Sequence, residues 1–136
     1  MTDIQELARE IERLHRFFED WYNGVDDRMI DEFADSLDDD FFIVSPGGEM
    51  SDKERIVEMV TSHRDTESIE IRIRNVGLPG WDEPGVQIAT YEEHQTRSSG
   101  NTVLTATVGL VADAARPGGF RWLFVHESWL VAPDAS

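Results

Sequence analysis

The stretch Ser68-Ile69-Glu70-Ile71-Arg72-Ile73-Arg74 places an isoleucine at every second position between charged or polar side chains. Successive side chains of a strand point to opposite faces, so this alternation predicts a strand with one apolar face. It also marks a boundary in the chain. Before it, apolar residues recur mostly at helical spacing; after it come only strand-like segments and turns.

Upstream, Ile4, Leu7, Ile11, Leu14, Phe18 and Trp21 are spaced by threes and fours. They draw one stripe along an amphipathic helix of about five turns. Thr2 with Gln5 reads as its capping box and Asn23-Gly24 as its stop. A second, short helix is expected after an Asp26-Asp27 cap, burying Ile30, Phe33 and Leu37. That leaves Asp38-Asp39-Asp40 as a solvated turn at its C-terminal end. Phe41-Phe42-Ile43-Val44 reads as a buried strand closed by a turn at Pro46-Gly47-Gly48. Ser51 and Glu54 read as a capping box for a third helix, with Ile56, Val57, Met59 and Val60 inward.

Downstream, a strand is expected from about Val86 to Gln95. The turn Arg97-Ser98-Ser99-Gly100-Asn101 leads into a long strand, Thr102 to Ala112. The loop Arg116-Pro117-Gly118-Gly119 leads into a last one, Phe120 to Val131. Helices first and antiparallel strands later define an α+β class.

Composition narrows the function. The 136 residues are expected to form one domain, 1–136. With 28 acidic and 12 basic side chains the net charge is −16, and Lys53 and the arginines form no cluster. Such a field repels phosphate backbones, so nucleic acid and anionic membranes are poor partners. At 40% hydrophobic residues the chain is too apolar for a disordered acidic tail. The acidic excess with so little lysine fits either a salt-adapted source or one favouring arginine. Cysteine is absent, which removes disulfides, thiol nucleophiles and cysteine metal sites. Neither a signal-like N-terminus nor a membrane-length apolar run is present, so a cytoplasmic location is expected.

Three places carry a family resemblance: the helix ending Phe18-Glu19-Asp20-Trp21-Tyr22-Asn23-Gly24, the strand and turn from Asp40 to Glu54, and the strand Trp122-Leu123-Phe124-Val125-His126-Glu127-Ser128-Trp129. In this order they resemble the nuclear transport factor 2-like superfamily, in particular its SnoaL-like branch. The resemblance covers essentially the whole chain. It implies a cone: a long N-terminal helix and two short ones packed in the concavity of a curved, mostly antiparallel sheet. It also implies a homodimer through the outer sheet face. Functions in the superfamily range from ketosteroid isomerase to kinase association domains, so fold does not fix activity. The isomerase pattern fits poorly here. Tyr22 lies later in its helix than that pattern asks, and Asp38 to Asp40 or Glu49 match the base only by location. Where the kinase association domain has a pocket arginine, this chain is expected to have Glu92, which disfavours an anionic ligand.

The strands suggest a site of their own. Symmetric closure of the turn at 97–101 would set Glu92 opposite Ala106 and His94 opposite Leu104. One face would then carry Val86, Ile88, Thr90, Glu92 and His94 beside Leu104, Ala106, Val108 and Leu110, apolar at one end and polar at the other, as a pocket wall is. The last hairpin has two registers. One brings Glu127 across Ala106 from Glu92, with Trp129 near His94; a one-residue slip brings His126 and Ser128 instead. Paired carboxylates raise one pKa, and a Glu–His pair suits proton transfer. The candidate catalytic residues are therefore Glu92, His94, Glu127 and His126. Trp21, Tyr22, Ala106, Val108 and Trp129 are candidate pocket lining. The competing reading puts Glu92 and Glu127 at a wet rim or on Arg72 or Arg74, and the aromatics in the core or a dimer interface.

The expectation is a pocket protein binding a small, largely apolar molecule, neutral or cationic, with any chemistry being proton transfer of isomerase, lyase or hydrolase type. No cofactor and no metal is expected: cysteine is absent, no His-x-x-x-His pair occurs, and Glu92-x-His94 supplies too few ligands for a site. The alternative is a non-catalytic ligand-sensing or dimerisation module.

Overall fold

The computed structural model describes residues 4–25, 28–79 and 85–133. Its elements are α1 (Ile4–Tyr22), α2 (Ile30–Ala34), β1 (Leu37–Val44), β2 (Met50–Asp52), α3 (Lys53–Ser62), β3 (Ile69–Gly77), β4 (Gln87–Arg97), β5 (Gly100–Ala112) and β6 (Phe120–Val131). The expected α+β cone is what forms. The strands make one sheet in the order β2-β1-β6-β5-β4-β3, antiparallel throughout except for the β1–β6 pair. Register shifts interrupt β1–β6, β3–β4 and β5–β6. Such irregularities bend strands and increase their twist, which curves the sheet.

The α1 stripe seats Leu7, Ile11, Leu14, Phe17 and Trp21 against Leu104, Ala106, Val108 and Leu110 of β5 and Trp122 of β6 in one core. Ile4 is exposed at the start of the stripe. The helix end is also stitched to the sheet. Asn23 Nδ2 donates to the Ile69 carbonyl, and the Ile69 and Ile71 amides donate to Asn23 Oδ1 and Glu19 Oε2. Edge-strand amides of β3 that would otherwise lie open are thereby covered. Gly24 takes φ +76°, the left-handed conformation that ends the helix.

Some local expectations shift. Asp38-Asp39-Asp40 lie within β1 rather than in a turn after α2, because Leu37 already pairs with Trp122 of β6. Asp38 bonds Arg121 and Asp39 lies near Lys53, so neighbouring cations offset part of the run. The cap of α3 is Asp52, whose Oδ1 accepts from the Arg55 amide at 2.9 Å. Ser51 cannot cap, being buried in β2 opposite Ile43. Met59 of α3 lines the cavity as expected while remaining partly exposed. The expected Thr2–Gln5 box and the Asp26-Asp27 cap involve positions outside the described residues.

The largest correction concerns β4. Arg97 pairs with Gly100 across a two-residue loop, Ser98-Ser99, which sets Glu93 opposite Leu104 and Glu92 opposite Thr105. This is one residue from the expected register, so every β4 side chain changes face. Ala89, Tyr91 and Glu93 point into the cone and are buried, while Ile88, Thr90, Glu92 and His94 occupy the outer face.

Candidate functional site

The mouth of the cone opens into a cavity of about 630 Å³. Its wall is mostly apolar, including Leu14, Phe33, Leu37, Phe41, Ile71, Trp122 and Val125; its polar residues are His15, Tyr22, His63, Thr66, Glu67, Tyr91, Glu93, Gln95, Arg97 and Glu127. Helix α1 places His15 there because it sits four residues after Ile11 and one after Leu14, inside the buried stripe.

His15 and Glu93 form the buried centre. His15 Nε2 stands 2.9 Å from Glu93 Oε1, and Nδ1 stands 2.8 Å from the Ile11 carbonyl oxygen. Both neighbours accept, so the geometry suits an imidazolium donating from each nitrogen. Burial disfavours that charge, but the charge and hydrogen bond of Glu93 and the Ile11 carbonyl outweigh it and hold the His15 pKa above its ordinary value. Burial likewise disfavours the Glu93 carboxylate, yet the charge and hydrogen bond of His15, with Gln95 and Arg97, draw its pKa below the ordinary one. Gln95 Nε2 donates to Glu93 Oε2 at 2.6 Å, while Gln95 Oε1 accepts from Arg97 and Thr102. Arg97 in turn donates to Glu67 at 3.0 Å. The network thus runs from the mouth to the helix. The Tyr91 hydroxyl lies 3.4 Å from His15 Nε2, and burial raises its pKa well above the ordinary phenol value.

Glu127 faces this network from β6. Ala106 of β5 lies opposite Glu127 on one side and Tyr91 on the other. Of the two registers open for the last hairpin, the observed one turns Glu127 inward and His126 outward, where it is exposed. Glu127 makes no hydrogen bond or ion pair to any described residue. Burial, aided by the negative charge of Glu93 and partly opposed by His15, raises its pKa to about 7. A carboxyl ionising there exchanges protons near neutral pH.

The structure separates the other expected site residues. Glu92 and His94 bond each other at 2.9 Å on the outer sheet face, and that hydrogen bond, with Asn75, lowers the Glu92 pKa. The one-residue register change removes both from the cavity. Tyr22 lines the cavity, and burial raises its pKa. Trp21 instead packs in the core, its Nε1 donating to the Val60 carbonyl at 2.7 Å. Ala106 and Val108 are core residues of β5 rather than lining. Trp129, opposite Leu104, is 40% exposed and lies outside the cavity wall.

His15, Tyr91 and Glu93 escaped the sequence reading. The helical pattern contained His15, since Ile11, Leu14, His15 and Phe18 keep one-face spacing. Glu93 and Tyr91 depended on loop length, and Gly100 carried the signal. Its φ of +139° is open mainly to glycine, and two-residue loops are the commonest hairpin connections. Among the described residues no group of histidines and carboxylates is arranged to hold a metal ion, and no helix is long and apolar enough to cross a membrane.

No family model and no curated protein matches the sequence. Solved structures do match the fold. A nuclear transport factor 2-like protein of unknown function from Pseudomonas aeruginosa superposes with a TM-score of 0.82 at 26% identity, over 91% of this chain and 98% of that one. The CaMKII hub of S. rosetta has a TM-score of 0.72 at 14% identity, over 95% and 98% of the two chains. The beta subunit of the benzoate 1,2-dioxygenase from Burkholderia mallei has a TM-score of 0.75 at 11% identity, over 95% and 91%.

Proposed function

The chain belongs to the nuclear transport factor 2-like superfamily, and from that premise we propose that its cone binds a small, largely apolar molecule and exchanges a proton with it through Glu127. The observation carrying this reading is an unpaired carboxyl with a pKa of about 7 in a mostly apolar cavity of about 630 Å³. A cavity of that size accommodates a drug-sized molecule. Glu127 is the proton donor or acceptor, in a reaction of isomerase, lyase or hydrolase type. His15 and Glu93, as a fixed ion pair, hold the local field. With its Nε2 hydrogen directed at Glu93, His15 leaves the Tyr91 phenol able to donate to a polar atom of the ligand.

The test has two stages. N-phenyl-1-naphthylamine, uncharged at neutral pH, should brighten saturably at one site per chain, and Ile43→Trp should suppress this by filling the cavity. Small apolar compounds that displace it are then incubated in deuterium oxide with the protein. Deuterium incorporation that follows Glu127 ionisation and disappears in Glu127→Gln supports proton transfer. Absence of saturable binding sinks the pocket. Binding without exchange leaves a ligand-sensing module, the second reading.

A homodimer through the outer sheet face belongs to the same reading. Phe42 and Phe124 stack there with ring centroids 5.8 Å apart, and Phe42 is 38% exposed. Two similar structures are described as a hub and as a putative association domain. Sedimentation should give twice the chain mass at micromolar concentration; a monomer would contradict the interface.

A further inference from the structure

We infer that the molecule this cone is built to hold is an apolar amine, bound as its ammonium ion with the Glu127 carboxylate as counter-ion. The inference rests on the reading of the cone as a small-molecule pocket and names the class of its occupant.

The charges facing the cavity carry the argument. From β4 comes Glu93 and from α1 comes His15, and these two neutralise each other at 2.9 Å. At the mouth Arg97 is engaged by Glu67, Gln95 and Thr102. The histidine His63, at the end of α3, lies with Nδ1 2.6 Å from the Met59 carbonyl oxygen. Tyr22 brings a neutral phenol. Each described arginine or histidine of the lining thus has an acceptor of its own, and Glu127 has no donor among the described residues. A buried carboxylate without a partner is costly. It can be relieved by taking a proton or by receiving a cation from outside.

The rest of the wall favours the cation. Phe18, Phe33, Tyr22 and Trp122 line the cavity, and aromatic faces attract an ammonium group while accepting the apolar body attached to it. The net charge of −16 draws cations toward the protein and repels anions. A neutral ligand would satisfy the apolar wall equally well but leave the Glu127 carboxylate unpaired.

The experiment compares three probes of one shape: 4-phenylbutylamine, 4-phenylbutan-1-ol and 4-phenylbutanoate, each displacing N-phenyl-1-naphthylamine. The amine should bind about tenfold or more tightly than the alcohol, the worth of one charge-assisted hydrogen bond in a partly buried site. Glu127→Gln and Glu127→Leu should abolish that preference and leave the alcohol's affinity in place. Glu92→Gln, on the outer face, should change neither. In the wild-type protein, without relying on any variant, the preference should shrink as pH is lowered from about 8 to about 5, because Glu127 takes up a proton while the amine stays charged.

Equal binding of amine and alcohol overturns the inference and leaves the pocket standing. So does a preference that survives both Glu127 substitutions, or tightest binding of the carboxylate probe. Failure of all three probes and of the fluorophore to bind defeats the pocket itself, and the inference with it.

Discussion

His15 on α1 and Glu93 on β4 meet at 2.9 Å in the interior, His15 being 5% and Glu93 7% exposed. The contact ties the long helix to the sheet and sets the field in which Glu127 titrates. Each partner is held charged by the other, so neither can be removed without stranding its neighbour.

Breaking that pair should be severe. His15→Leu or Glu93→Leu should each lose about 3–5 kcal/mol in chemical denaturation, as expected when one buried partner is left uncompensated. The double variant His15→Leu/Glu93→Leu should be less destabilised than the sum of the singles. Strict additivity in this double-mutant cycle would mean the pair is not coupled.

Stability should fall as pH rises across neutrality. Native Glu127 ionises at about 7 against an ordinary 4.5, so between those values the folded chain holds more protons than the unfolded one. Rising pH therefore destabilises it, by on the order of 3 kcal/mol for the full shift. The raised His15 pKa acts in the same direction, its contribution being lost as pH climbs through its folded value. The lowered Glu93 pKa gives a contribution that is lost only as pH falls through its folded value, on the acid side. Urea midpoints measured from about pH 5 to pH 8 should decline, and Glu127→Gln should flatten the slope. A wild-type midpoint that rises over this range would contradict the assignment.

The β4 register can be tested with neighbouring carboxylates. Glu93→Gln should lower the melting temperature markedly, whereas Glu92→Gln on the outer face should leave it nearly unchanged. The reverse ranking would restore the symmetric register in which Glu92 faces the cone.

A second buried carboxylate, Glu10, is structural. Its Oε2 accepts from Trp122 Nε1 at 2.8 Å and from Arg13 at 3.0 Å. Trp122→Phe leaves Glu10 one donor short and should cost about 1–3 kcal/mol beyond the packing lost. Gly118, at φ +76°, passes so close to Glu10 and Arg13 that any Cβ would collide with both. Gly118→Ala should therefore also destabilise the fold. An unchanged melting temperature in either variant would show that this network yields freely.

Much of the architecture was legible because periodicity is local. The Ile4-to-Trp21 stripe and the Ile69-Ile71-Ile73 alternation each announce one element and the face it buries. The last strand, Phe120 to Val131, was bounded correctly by the glycine-rich loop before it. The cap of α3 was misplaced by one residue because Ser51 and Asp52 are both good caps, and only the pairing of Ser51 with Ile43 decides between them.

The site was legible in kind but not in place. A carboxylate from β6 beside one from β4, on the face that carries Ala106 and Leu104, could be read from the chain, and Glu127 was among the candidates. Whether Glu92 or Glu93 joins it could not, because Val86-Ile88-Thr90-Glu92-His94 and Gln87-Ala89-Tyr91-Glu93-Gln95 are both half apolar and half polar. The sequence by itself determined the order of the helices and of every strand except the short β2, the acidic charge and the inward face of β5. The alternation of β4 left open which parity enters the cone, and the two-residue hairpin loop together with the packing against α1 decided it. Strand side chains repeat every two residues, so a loop shorter by a single residue exchanges the faces, and His15, reaching across from α1, pairs only with the carboxylate that this exchange turns inward.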